Sequence, residues 1–233
     1  VNPASPAGGN ESYEIDISAG TNDNGYARVV ILDTVLVTAQ VQSTFEFTVT
    51  GRDAGVSVNG ETTTGTSSST TIPFGVLTAG NPEVQAHDLQ VETNAINGFV
   101  VTVQSDGQFR SSTGADIDRF TDDTDVTAPT AWTGPSNSIL DENTWGHWGV
   151  TTEDNDGGIS GNDGLADGDE FAASEFIGVS TTPRAIFAHD GPADNATPNV
   201  GSTTVGYKVE ITALQEAADD YQTILTYIAT PTF

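Results

Sequence analysis

Polar and apolar residues alternate with period two along most of this chain, the mark of strands with one buried face. In STFEFTVTG (43–51), Phe45, Phe47 and Val49 fall on one side. Leu89 and Val91 do so in DLQVET, and Phe99, Val101 and Val103 in GFVVTVQS. The cleanest case is TTVGYKVEIT (203–212), with Val205, Tyr207, Val209 and Ile211. Tyr221, Leu225 and Tyr227 complete the set in YQTILTYIATPTF. Asn59-Gly60, Asn97-Gly98 and Asp106-Gly107 punctuate these runs as turns, because both residues of such pairs tolerate positive φ.

About ten strands with frequent turns predict an all-β fold. The expected form is an antiparallel two-sheet sandwich, Ig-like or jelly-roll-like, with an extra N-terminal strand segment. Helices should be few and short, with a turn or two in GADIDRFTDD (114–123) and in QEAADDY (215–221). The low-complexity stretch ETTTGTSSSTT (61–71) reads as a solvated loop or edge able to carry O-glycans. Two N-glycan sequons, at Asn10 and Asn195, are short patterns of low specificity.

The N-terminal region stands apart. Residues 1–12 (VNPASPAGGNES) are rich in Pro, Gly and Ser and predict extended chain. YEIDIS follows with Tyr13, Ile15 and Ile17 in alternation, then the polar loop AGTNDNG. RVVILDTVLV (28–37) is the most apolar run of all, as expected of a strand buried on both faces and prone to pair with another chain. We therefore divide the chain into an N-terminal extension, 1–34, and a β-sandwich domain, 35–233.

Composition narrows the function. The 233 residues carry 33 acidic and six basic side chains, a net charge of −27. Such a charge repels phosphate backbones, so nucleic acid is not an expected partner. No apolar run reaches 18 residues, so no membrane span is expected. There are no cysteines, which excludes disulfides, thiolate metal sites and a Cys nucleophile. The chain begins at Val1 and contains no Met, which suggests removal of an export signal. A secreted, cell-surface protein is expected, with its last strand running nearly to Phe233.

The series FTVTG (47–51), TIPFGVLTAGNPEVQAHDLQVETNAINGFVVTVQSDG (71–107), VGYKVEIT (205–212) and YQTILTYIATPTF (221–233) resembles exported Thr-rich β-sandwich surface proteins of uncultured small-genome bacteria. The resemblance covers about Val35 to Phe233, and IPFG, TNAINGF and YIATPTF are its most specific pieces. In architecture the chain is similar to strand-donating fibre subunits of the spore-coat-U-like and TasA/camelysin-like families. That likeness implies polymerisation by passing a strand from one subunit to the next. The chain departs from the spore-coat-U type in having no cysteines, and it shows no protease motif of the camelysin type.

Catalytic signals are weak. His87, His147 and His189 lack metal-binding spacing, and no GxSxG elbow occurs. An enzyme is not expected. Trp132, Trp145 and Trp148 cluster in sequence, and read either as a sugar platform or as core filling, the commoner role. The acidic loop EDNDGGISGNDGLADGDE (153–170) offers Asp154, Asp156, Asp163, Asp167 and Asp169 as oxygen ligands for a structural Ca²⁺. It does not fit the EF-hand spacing. A second acidic cluster spans Asp116, Asp118, Asp122, Asp123 and Asp125.

Two functional readings follow. In the first, the chain is a subunit of a pilus-like extracellular filament, a head-to-tail homopolymer formed by donor-strand complementation. The donor residues are then Tyr13, Ile15, Ile17, Val29 and Ile31. In the second, it is a monomeric surface adhesin or carbohydrate-binding module whose partners are glycans. No cofactor beyond structural Ca²⁺ enters either reading.

Overall fold

The computed structural model describes residues 11–31, 36–124, 126, 128–154, 171–218 and 220–233. Its elements are β1 (Glu11–Ala19), β2 (Asp23–Ile31), β3 (Phe45–Gly51), β4 (Ser57–Val58), β5 (Glu61–Thr62), β6 (Glu83–Thr93), β7 (Phe99–Ser105) and β8 (Phe109–Arg110). They continue with β9 (Asp116–Arg119), β10 (Thr130–Ala131), a 3-10 turn (Glu142–Thr144), β11 (Gly146–Thr152) and β12 (Glu175–Gly178). The last four are β13 (Arg184–His189), β14 (Ala193–Asp194), β15 (Ser202–Ile211) and β16 (Leu225–Pro231). The fold is all-β, as its alternating pattern predicts. Two compact units result, Val1–Gln42 and Ser43–Phe233.

The second unit is a sandwich. Its large sheet runs β3, β6, β15, β11, β12, β10, with β14 extending the row beside β6 and β9 pairing parallel to β11. The small sheet is β13, β7, β16, antiparallel throughout. The alternating residues of both sheets meet in one core. Leu89, Val91, Val205, Tyr207 and Val209 come from the large sheet, and Phe99, Val101 and Val103 from the small one. Full burial of each such side chain contributes about 1.5–3 kcal/mol, so this shared core holds the two sheets together.

The turns behave as their chemistry requires. Asn59 and Gly60, at φ 41° and 82°, close the two-residue β4–β5 hairpin, the double positive φ that a type I′ turn needs. Gly98 has φ 70°, and a Cβ there would collide with the His189 carbonyl.

A third layer lies on the outer face of the large sheet. Val58 packs with Val84 and Ala86, reaching Gly206 closely enough that a Cβ there would meet its methyls at 2.9 Å. Lys208, on β15, points into this layer. Its ammonium lies 3.0 Å from Glu61, 5.0 Å from the centre of the Trp132 ring and 5.4 Å from that of Phe176.

Three expectations need correction. GADIDRFTDD is not helical: β9 occupies its middle, pairing with β8 and β11. Ile117 is buried in the core from that strand, and the tertiary pairing overrides local propensity. QEAADDY forms no helix among its described residues. Gln215 Nε2 instead donates to the Asp116 carbonyl at 2.7 Å, and the Tyr221 hydroxyl to the Glu216 carbonyl. The stretch 61–71 is not simply solvated. Thr64 exchanges hydrogen bonds with Val84, Ser67 Oγ donates to the Ala86 carbonyl, and Thr63 and Ser67 are buried. Threonine and serine hydroxyls can satisfy backbone groups locally, which lets a polar stretch pack against a sheet.

Candidate functional site

Among the described residues, the N-terminal unit contains a single hairpin. β1 and β2 pair antiparallel over nine residues each, and among those residues each is the other's only ladder partner. The register places Tyr13 opposite Val29, Ile15 opposite Ala27 and Ile17 opposite Gly25. Directly paired residues share a face, so one face of the hairpin is apolar. The other face pairs Glu14 with Arg28, a salt bridge of 2.6 Å, and Asp16 with Tyr26. Ile31, the fifth sequence-predicted donor residue, pairs with Glu11 at the hairpin's open end.

The apolar face is open. Ile15, Ile17 and Val29 are 49 %, 58 % and 47 % exposed. This corrects the expectation that 28–37 forms one strand buried on both faces. β2 ends at Ile31, Val30 is also exposed, and residues 32–35 lie outside the described set. An apolar run implies two covering layers only when the strand lies inside a sheet, and here it lies in a two-stranded ribbon. A lone hairpin of this kind is marginally stable in water unless a further strand or layer covers it.

The sandwich has an open side of its own. β3 edges the large sheet and β16 edges the small one, and Phe47 meets Tyr227 edge-on at 6.4 Å. The two free edges therefore lie on the same side. Their inward residues, Phe45, Phe47 and Val49 on β3 and Leu225, Tyr227 and Ala229 on β16, are only partly buried, unlike those of β6 and β7. Segment 69–77 crosses nearby. Between it and the sheet run two grooves, of about 250 and 660 Å³, that share Ile72, Phe74 and Phe109 as walls.

The acidic residues divide in two. Asp154 is fully buried and accepts the Ala188 N–H at 2.8 Å. Asp156, Asp163, Asp167 and Asp169 lie outside the described residues. The second cluster is brought together differently from its sequence grouping. Asp116 and Asp118, two apart on β9, are joined by Glu142 from the 3-10 turn, with one carboxylate oxygen of each within 4.8 Å of the others. Asp122 turns away to His147 at 3.2 Å, and Asp123 pairs with Arg119 at 2.9 Å.

Burial and neighbouring charge raise the pKa of two of these carboxyls, Asp118 and Glu142. Burial, with the charges of Asp116 and Asp123, pushes the Asp118 carboxyl up to about 7. A hydrogen bond with Asp116, followed by burial, pushes Glu142 up to about 7 as well. Sequence reasoning missed Glu142, because it stands 24 positions beyond Asp118 and only the β9–β11 pairing brings it close.

His87, His147 and Trp148 serve the interior. His147 is buried, with Nε2 2.9 Å from the Thr133 carbonyl, and burial lowers its pKa. His87 lies 3.1 Å from the Tyr227 hydroxyl, which meets Tyr207 at 2.5 Å. Desolvation lowers the His87 pKa also. Trp148 is buried against Phe109. Trp132 stacks on Phe120 at 4.7 Å and donates to Glu210, and Trp145 donates to the Ser138 carbonyl. The three indoles are thus engaged in separate contacts.

The class defined by these features is an all-β sandwich accompanied by an amphipathic hairpin. No protein-family model and no curated protein matches the chain.

Proposed function

We propose that the chain is a structural subunit of an extracellular filament. In this reading the hairpin Glu11–Ile31 of one copy lies along the open side of the next copy's sandwich. The observation that carries the reading is the hairpin itself: a two-stranded ribbon whose apolar face exposes Ile15, Ile17 and Val29. Such a ribbon gains a missing layer by docking, and monomeric proteins rarely leave contiguous apolar faces in water.

The acceptor is chosen on complementary grounds. Among the described residues β16 pairs on one side only, with β7, and strand addition satisfies the backbone groups of such an edge while alternating side chains fill pockets beneath. Seven residues of β16 are matched by nine in each hairpin strand. Donor and acceptor are different surfaces, so each copy uses both and the contact propagates as a fibre. The resemblance to strand-donating fibre subunits agrees with this arrangement. A secreted location, a homopolymeric partner and the absence of catalysis belong to the same proposal. The alternative carbohydrate-binding module would need an exposed aromatic platform, and Trp132 and Trp148 are already engaged.

The test is sedimentation of the purified full chain beside the Ile15→Asp/Ile17→Asp variant. Polymers that pellet only without the substitutions support the reading. Polymers that form equally well in both would reject it.

A further inference from the structure

We propose that Asp116, Asp118 and Glu142 form a binding site for a single divalent cation of calcium's class on the sandwich. None of its residues belongs to the acidic stretch 153–170, and the proposal holds whether or not the chain polymerises. Calcium binds oxygen ligands at 2.3–2.6 Å, so two ligands on one ion stand up to about 5 Å apart. The three carboxylates, each with an oxygen within 4.8 Å of the other two, fit that reach.

Proximity of acids alone would mean little in so acidic a protein. The second observation is Asp118. Its residue is 2 % exposed, Oδ1 accepts from Gln108 Nε2, and Oδ2 has no hydrogen-bond partner. A buried carboxylate oxygen without a donor is costly and rare in folded proteins, and it calls for a partner. Gln108, whose Nε2 donates to Asp118 Oδ1, likewise has an Oε1 that is buried with no partner among the described residues. Arg119 is engaged by Asp123 at 2.9 Å, while Arg110 stands 3.9 Å from Asp116 and is 69 % exposed.

The placement explains what an ion would do. Asp116 and Asp118 project from the same side of β9, which Ile117 anchors to the core from the other. Glu142 begins the 3-10 turn that leads into β11, and β11 pairs with β9 at His147–Asp118. An ion held by all three ties a four-residue edge strand to the turn entering its partner strand. It also removes the repulsion of three carboxylates.

Calorimetric titration of the full chain with CaCl₂ after EGTA treatment, together with thermal melts, tests the assignment. We expect one strong site per chain and a rise in Tm of about 5–10 °C at a hundredfold excess of calcium over Kd. Asp118→Asn and Glu142→Gln should each weaken binding at least tenfold. Asp163→Asn/Asp167→Asn/Asp169→Asn should leave this site unchanged. Glu142, on a turn outside the core strands, keeps the test informative if Asp118→Asn folds poorly. Calcium affinity and Tm rise unaltered in Glu142→Gln, loss of binding only in the loop variant, or no binding in the wild type would each overturn the proposal.

Discussion

Lys208 is the only lysine in the protein, and it sits where an unpaired charge is least tolerable. Its side chain is 8 % exposed, and that of Glu61, its partner at 3.0 Å, is 18 % exposed. Glu61→Gln leaves the ammonium beneath the β4–β5 hairpin, over two aromatic rings, without its partner at 3.0 Å. Breaking a buried pair from one side costs about 3–5 kcal/mol, and the slight exposure of Glu61 argues for the lower end, about 3 kcal/mol. In a domain of this size about 1 kcal/mol moves Tm by 2–4 °C, so Glu61→Gln should lower Tm by about 6–12 °C. Lys208→Met should behave differently. It removes the buried charge, keeps a long apolar stem against Trp132 and Phe176, and leaves Glu61 with some access to water. The carboxylate left behind is the more exposed of the two partners and regains water, so a smaller loss than in Glu61→Gln, about 1 kcal/mol, is expected. Urea denaturation of both single variants and the double variant measures the coupling. Glu61→Gln proving as mild as Lys208→Met would refute the reasoning and mean that water reaches the pair.

Three further outcomes follow from other parts of the fold. Gly98→Ala should destabilise the sandwich by several kcal/mol, of order 3–5, because it adds a Cβ at positive φ against the His189 carbonyl; thermal melts check it. Hydrogen bonds from Thr197 and Ala196 hold the Asp194 carboxyl down at about 2, and those from Ser111 and Ser112 do the same for Asp220. Both are depressed below the ordinary value of 3.8, so their contribution is fully present above that pH and is lost as pH falls through about 2. Urea midpoints between pH 2 and 5 should therefore flatten in Asp194→Asn/Asp220→Asn. Finally, copies carrying −27 each repel one another, and the Debye length shrinks from about 10 Å at 0.1 M salt to 3 Å at 1 M. The critical concentration for assembly, measured by sedimentation, should fall with added NaCl.

Where one face of a strand is buried, sequence alone announces it. Val205, Tyr207 and Val209 on β15 and Phe99, Val101 and Val103 on β7 all reach the core their alternation promises. Asn97-Gly98 marks the corner before β7, as its turn chemistry requires. What sequence hides is whatever depends on distant pairing. β9 reads as an acidic turn because Asp116 and Asp118 mask the single core residue between them, Ile117. Its parallel register with β11 brings Glu142 into reach, and no spacing rule encodes that meeting. The Trp cluster looks like a platform in sequence, yet Trp132 and Trp148 join different packing groups. The apolar run holding Val29 and Val30 was legible as unusual. Its exposure was not, since burial belongs to neighbours that the run itself does not specify.

The most direct test of the filament reading is negative-stain electron microscopy of the purified full chain beside a chain lacking residues 1–42. The account predicts long filaments from the full chain, and folded, monodisperse particles from the truncated one. Monodisperse particles from both, at high protein and salt concentration and with calcium present, would contradict it.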